Sequence, residues 1–252
     1  MAEISKADIE KIVREIVGNL GGSTVNTTAP SYTSTHFEGR KLIGIYSDMN
    51  EAIDSAAEGY KAVRSMSVEN REKIITAIRD LTRAEAKIMA QMGVSETGMG
   101  RVDHKTAKHM LVADKTPGTE DIVSEAKTGD AGLTLVQMAP FGVVGAITPS
   151  TNPSETVICN SIGMIAAGNG VVFNPHPGAI CVSNYAVDLV NRASRMSGGP
   201  DVLVASMDKP TMESASGNPS ARLYRRSRSC SLGAFFRQKS DWCRCGKSSC
   251  YC

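Results

Sequence analysis

The stretch FGVVGAITPSTNPSETVICNSIGMIAAGNGVVFNPHPGA (141–179) decides the fold. Residues 141–147 are a valine-rich apolar run, short enough for a buried parallel strand. Asn152 offers an N-cap, Pro153 suits the first helical position, and Glu155 stands three residues past the cap, the spacing of a capping box. Val157, Ile158, Ile162 and Ile165 keep helical spacing on one face. Gly168-Asn169-Gly170 stops that helix, because glycine and asparagine accept positive φ at low cost. Residues 171–173 make a second strand, ended by Pro175-His176-Pro177. A strand–helix–strand unit of this length predicts a right-handed crossover and a parallel sheet.

Downstream, Val182, Ala186, Leu189, Val190 and Ala193 form the next amphipathic helix, which Gly198-Gly199-Pro200 ends. Residues 202–205 are another short buried strand, and the order β-α-β-α-β is half of a doubly wound domain. Upstream, 133–138 alternates weakly and reads as a strand. Residues 48–66 and 68–92 read as helices, with Ile53, Ala56, Ala57, Tyr60 and Val63 on one face of the first. Ile74, Ile78, Leu81, Ile88 and Met89 line much of the second. Gly98 and Gly100 bracket a turn before a third helical stretch, whose His104 and His109 point to different faces. The four histidines are scattered without metal spacing, so each is expected to be solvated or satisfied by a partner.

Residues 5–20 have apolar positions at Ile9, Val13, Ile16, Val17 and Leu20, an amphipathic helix stopped by Gly21-Gly22. So short a helix is marginal alone and needs a partner for its apolar face. Residues 23–38 are rich in Ser and Thr without pattern and read as a flexible linker. The composition, 41% hydrophobic and 21% charged over 252 residues, suffices for one or two cores. No run of about 18 apolar residues exists, so no membrane span is expected. The N-terminus carries no apolar signal core, which points to the cytoplasm and reduced thiols.

TPSTNP (148–153), AAGN (166–169) and FNPHPGA (173–179) resemble nucleotide-domain motifs of CoA-acylating aldehyde dehydrogenases, most of all those of bacterial microcompartments that serve ethanolamine or propanediol utilisation. SETGMG (95–100), TPGTED (116–121) and TGDAGL (128–133) fit the same family, and the resemblance runs from about 42 to about 219. It implies an α/β aldehyde-dehydrogenase-like fold with a partial doubly wound nucleotide-binding domain. It also implies NAD as cofactor, coenzyme A as co-substrate, an aldehyde as substrate, and a homo-oligomeric parent enzyme. No GxGxxG is present, so nicotinamide binding does not follow from pattern alone. By resemblance, Thr148, Pro149 and Ser150 lie beside the nicotinamide end, and Asn174, Pro175, His176 and Pro177 beside the adenosine part. Asn152 then matches an asparagine of the oxyanion hole, a role that competes with N-capping for one side chain. A helix on a flexible tether is similar to the encapsulation peptides of microcompartment enzymes, which implies that 5–20 binds a shell protein; docking on its own domain is the other reading. In the family the nucleophilic cysteine lies beyond the matched region. Cys159 and Cys181 read as small buried apolar residues and take no catalytic role.

The end of the chain departs from all of this. Residues 221–252 hold eight of the 28 Lys and Arg, one acid, five of the seven cysteines and the sole tryptophan. That segment is +7, whereas twenty basic and twenty-five acidic residues leave 1–220 at −5. Cys243-Arg244-Cys245 and Cys250-Tyr251-Cys252 lack zinc-knuckle spacing, and Arg222, Arg225, Arg226 and Arg228 alone are a weak nucleic-acid signal. Codons allowed for 225–229 and 236–252, read one base later in each codon, permit a glycine-rich turn and a Gly-Asn-Pro-Pro segment similar to the family's own continuation. The expectation is a frameshift near Ser220 and a truncated chain. The expected organisation is therefore a targeting helix at 1–22, a linker at 23–40, an incomplete NAD-binding domain at 41–220, and an aberrant, disordered tail at 221–252. The expected function is the N-terminal portion of a CoA-acylating aldehyde dehydrogenase, inactive as this chain, with no metal, nucleic acid or membrane. The alternative is a non-catalytic fragment that binds a shell or partner through 5–20.

Overall fold

A computed structural model describes residues 31–210 and the backbone of 222–224. The amphipathic helix expected at 5–20 and most of the 221–252 tail lie outside the described residues. Two short strands, β1 (His36–Phe37) and β2 (Arg40–Lys41), form an antiparallel hairpin, and β3 (Ile45–Tyr46) follows. Three helices come next: α1 (Met49–Ser65), α2 (Val68–Thr97) and α3 (Val102–Lys115). Then come β4 (Glu125–Gly129), β5 (Gly132–Val136), β6 (Val143–Ile147), α4 (Pro153–Ala166), β7 (Gly170–Asn174), α5 (Ile180–Met196), β8 (Val204–Met207) and β9 (Arg222–Tyr224).

The main sheet is five parallel strands in the order β3-β8-β7-β6-β9. Alternation along β7 places Val171 and Phe173 in the core under α4 and α5, while Val172 faces the other way onto Ala52, Ile53 and Ala56 of α1. Both faces are thus covered, which is what a near-continuous apolar strand requires. Gly170 opens β7 because α1 crosses it closely: a Cβ there would stand 2.5 Å from the Ala56 carbonyl oxygen. Gly98 ends α2 in the left-handed conformation at φ 65°, as its place before a turn predicts.

Four features differ from the sequence reading. Residues 32–40 are not a free linker: Phe37 is buried against Tyr185, and Arg40 forms a two-pronged ion pair with the fully buried Asp188. Asp188 also accepts from the Ile43 amide and from Arg192, whose other end grips Glu85, so composition misled where single long-range anchors hold the chain. The strand expected at 133–138 is one arm of a β4–β5 hairpin apart from the main sheet, with every residue exposed. Glu125 and Lys127 break the apolar pattern of its other arm, which therefore carries no strand signal in the sequence. Helix α4 is buried almost all round rather than on one face, since α2, α3, α5 and β7 surround it. Finally, Arg222–Tyr224 stands as an edge strand beside β6, within a stretch for which the sequence offered no packed element.

Candidate functional site

Beyond β6 the strand order turns. β7 and β8 extend the sheet to one side and β9 lies on the other, so the carboxyl end of β6 is a topological switch point. Crevices at such points receive ligands in open α/β sheets. The loop 148–152 leaves β6 there, and the turn 174–178 leaves β7 beside it. The two are joined, because the Thr148 amide donates to the Asn174 carbonyl at 3.3 Å. Thr148, Pro149 and Ser150 therefore share one sheet edge with Asn174, Pro175, His176 and Pro177. Thr148 is 1% exposed, and its Oγ1 has no hydrogen-bond partner among the described residues. A buried hydroxyl left so is costly, which makes it a polar group suited to a ligand. Pro149, His176 and Pro177 are exposed. The His176 ring is fixed, its Nδ1 accepting from the Gly178 amide at 3.0 Å.

Helix α3 braces this loop from behind. Lys105 is buried, and its Nζ donates to the Thr151 carbonyl at 3.1 Å. Lys108 Nζ donates to Asn152 Oδ1 at 3.0 Å. Asn152 occupies the N-cap position of α4, yet its side chain caps nothing, and φ −137°, ψ 63° is not the usual capping geometry. The capping box expected from Asn152 and Glu155 is absent for that reason. Glu155 is buried, with Oε2 3.3 Å from Ser154 Oγ and Oε1 without a partner among the described residues. The conflict between capping and a freer role for Asn152 is thus resolved against capping, and Nδ2 makes no hydrogen bond to a described residue.

His109 is the residue that sequence reasoning undervalued. It is fully buried, its Nδ1 lies 2.7 Å from the Lys105 carbonyl, and its Nε2 lies 2.8 Å from Ser154 Oγ. A carbonyl only accepts, so Nδ1 carries a proton; burial pushes the ring below its ordinary value, against a smaller opposing pull from Glu155. In the neutral ring, Nε2 accepts the Ser154 hydroxyl. The i, i+4 spacing of Lys105 and His109, which puts both on one helix face, was the available signal.

The two described cysteines are half-buried rather than enclosed in the core. Burial first, then the carboxylate of Glu96, push the Cys181 thiol up to about 12. A thiol at a helix N-terminus ordinarily moves the other way. Burial reverses that tendency and Glu96 adds to it, its two oxygens accepting from the Cys181 and Val182 amides, each at 2.8 Å. No group of three or more His, Cys, Asp or Glu among the described residues could hold a metal ion. No described helix is long and apolar enough to cross a membrane.

Sheet order, crossovers and a polar loop pair at the switch point define the class: a doubly wound α/β domain with a candidate site edge at 148–152 and 174–178. The chain belongs to the aldehyde dehydrogenase family, whose sequence pattern matches residues 21–214. It is 40% identical over 212 residues to the acetylating acetaldehyde dehydrogenase EutE of Salmonella typhimurium, covering 84% of this chain and 43% of that one. The structure is similar to a variant of the propionaldehyde dehydrogenase from the Clostridium phytofermentans fucose-utilisation bacterial microcompartment, at 54% identity and TM-score 0.71 over 73% of this chain and 44% of that one. It also resembles the Rhodopseudomonas palustris propionaldehyde dehydrogenase with bound CoA and an acylated cysteine, at 44% identity and TM-score 0.69 over 72% of this chain and 43% of that one. The chain thus spans less than half the length of these relatives.

Proposed function

We propose that residues 41–220 are the dinucleotide-binding portion of an NAD-dependent, CoA-acylating aldehyde dehydrogenase, which converts an aldehyde, CoA and NAD to an acyl-CoA and NADH. One observation carries this reading: the loops after β6 and β7 are joined edge to edge at the sheet's switch point, with the buried Thr148 hydroxyl left over. These residues fit a nicotinamide dinucleotide, which supplies hydride acceptance when bound. Thr148, Pro149 and Ser150 would hold its nicotinamide end, and Asn174, Pro175, His176 and Pro177 its adenosine end. Asn152 would donate from Nδ2 to the oxyanion that forms when a thiolate adds to the aldehyde. Such a donor contributes about 3 kcal/mol to the transition state. Lys108 on Oδ1 favours this orientation of the amide.

Neither described cysteine is assigned the nucleophile. The Cys181 thiol, pushed up to about 12, is almost wholly protonated at neutral pH, and the thiolate is the reactive form. The 252-residue chain is therefore expected to bind NAD and to release no NADH from an aldehyde and CoA. The two assays are tryptophan-independent NAD titration by calorimetry and NADH absorbance under turnover. Turnover that Cys159→Ala or Cys181→Ala abolishes would assign the missing thiol to this chain and overturn that part of the reading. The second reading, a cargo or partner module, rests on the amphipathic pattern of residues 5–20 and on the microcompartment source of the Clostridium relative. In it the N-terminal helix binds a shell protein inside the compartment.

A further inference from the structure

The SETGMG motif contributes one side chain, Glu96, that the proposed reaction does not use. Glu96, at the end of α2, reaches 85 residues ahead to the first turn of α5. Its carboxylate accepts from the Cys181 and Val182 amides at 2.8 Å each, the second and third residues of that helix. Ala179, the N-cap of α5, makes no side-chain cap. A helix N-terminus that follows a parallel strand is a ready seat for a phosphate. Here that seat is filled by a fixed negative charge from another helix. Burial first, and then this carboxylate, hold the proton on the neighbouring Cys181 thiol. The α5 N-terminus opens directly from the 174–178 turn, where the proposed function puts the adenosine end of the dinucleotide.

We propose that Glu96 is a specificity-determining residue, which closes the α5 anion seat and so selects a dinucleotide without a 2′-phosphate over one that carries it. This rests on the dinucleotide reading of the 174–177 turn. The physics is like-charge repulsion at a partly desolvated site, together with the loss of the backbone donors that a 2′-phosphate would need. Capping alone would make Glu96 structural, and capping acts on both cofactors alike. The ratio of the two affinities isolates the specific role.

The test is calorimetric titration of the full chain with NAD and with NADP. Wild type is expected to bind NAD about tenfold or more tightly than NADP, a gap that narrows as salt screens the carboxylate. Glu96→Gln keeps one oxygen to accept one amide and removes the charge; its NADP to NAD dissociation-constant ratio is expected to fall at least about threefold. Glu96→Asp keeps the charge and is expected to keep most of the selectivity. Equal affinities in wild type, a salt-independent gap, or an unchanged ratio in a folded Glu96→Gln chain would each overturn the assignment while leaving the dinucleotide reading in place. Failure of the folded wild type to bind either cofactor would overturn both. Should Glu96→Gln not fold, the salt dependence of the wild-type ratio still decides the matter.

Discussion

Asn191 offers the sharpest test of how this domain is held together. The side chain is fully buried on α5, and its amide is saturated. Nδ2 donates to the carbonyls of Ile43 at 3.0 Å and Val204 at 2.9 Å. Oδ1 accepts from the amides of Leu203 at 2.9 Å and Val204 at 3.1 Å. One side chain therefore fastens α5 to the entry of β8 and to the approach to β3, two neighbouring strands at the edge of the sheet. Asn191→Leu keeps the volume and strips partners from backbone groups that water does not reach. At about 1 kcal/mol for each of the four bonds, the loss is about 4 kcal/mol, and more if the groups stay dry. That is a large share of the roughly 5–15 kcal/mol that stabilises a domain. Asn191→Asp is the more telling variant, since it keeps the oxygen that accepts from both amides and sets the other carboxylate oxygen against two carbonyl oxygens. A carboxyl in that place is held above its ordinary range, so the folded state binds the proton more tightly than the unfolded state. Its deficit is then greatest at neutral pH and shrinks as pH falls. Urea denaturation followed by far-UV circular dichroism at pH 7 and pH 5 measures both. An Asn191→Leu loss below about 1 kcal/mol, or an Asn191→Asp deficit that grows on mild acidification, would refute the reasoning.

Three further outcomes are expected. Because burial lowers the His109 pKa in the folded state, its contribution to stability is complete above the ordinary value of 6.5 and is lost as pH falls through the folded value. Glu155, Lys105 and Lys108 are the charged groups that act on it, and His109→Gln should flatten the stability profile on the acid side of the ordinary histidine value in a pH series of melting curves. Residues 5–20 fused to a fluorescent protein should co-localise with microcompartments, and Ile9→Asp combined with Ile16→Asp should abolish this; punctate signal that persists in the double variant excludes the targeting reading. Residues 221–252 should hold no stoichiometric zinc by atomic absorption, and the DNA near codon 220 should carry a one-base change relative to the family's frame; one bound equivalent in an intact frame would make the cysteines a genuine metal module.

The sequence by itself determined the parallel core. The valine-rich strand at β6, the Pro153 start of α4 and the glycine punctuation after it are local choices, written in residues a few positions apart, so they are legible without coordinates. The candidate edge was legible for the same reason, because the loops after β6 and β7 adjoin in any right-handed βαβ unit. What the tertiary structure decided is which side chains act across distance. Asn152 was spaced as a cap, and only the approach of Lys108 from α3 shows its amide engaged elsewhere. Residues 32–40 had the composition of a linker, and only Asp188, 148 residues on from Arg40, shows them anchored. Glu96 read as one letter of a motif until α2 brought it to the first turn of α5. Periodicity encodes which face of an element is apolar. It carries no record of which polar group on a neighbouring element will meet a helix end or a loop, and that pairing exists only once the chain has packed.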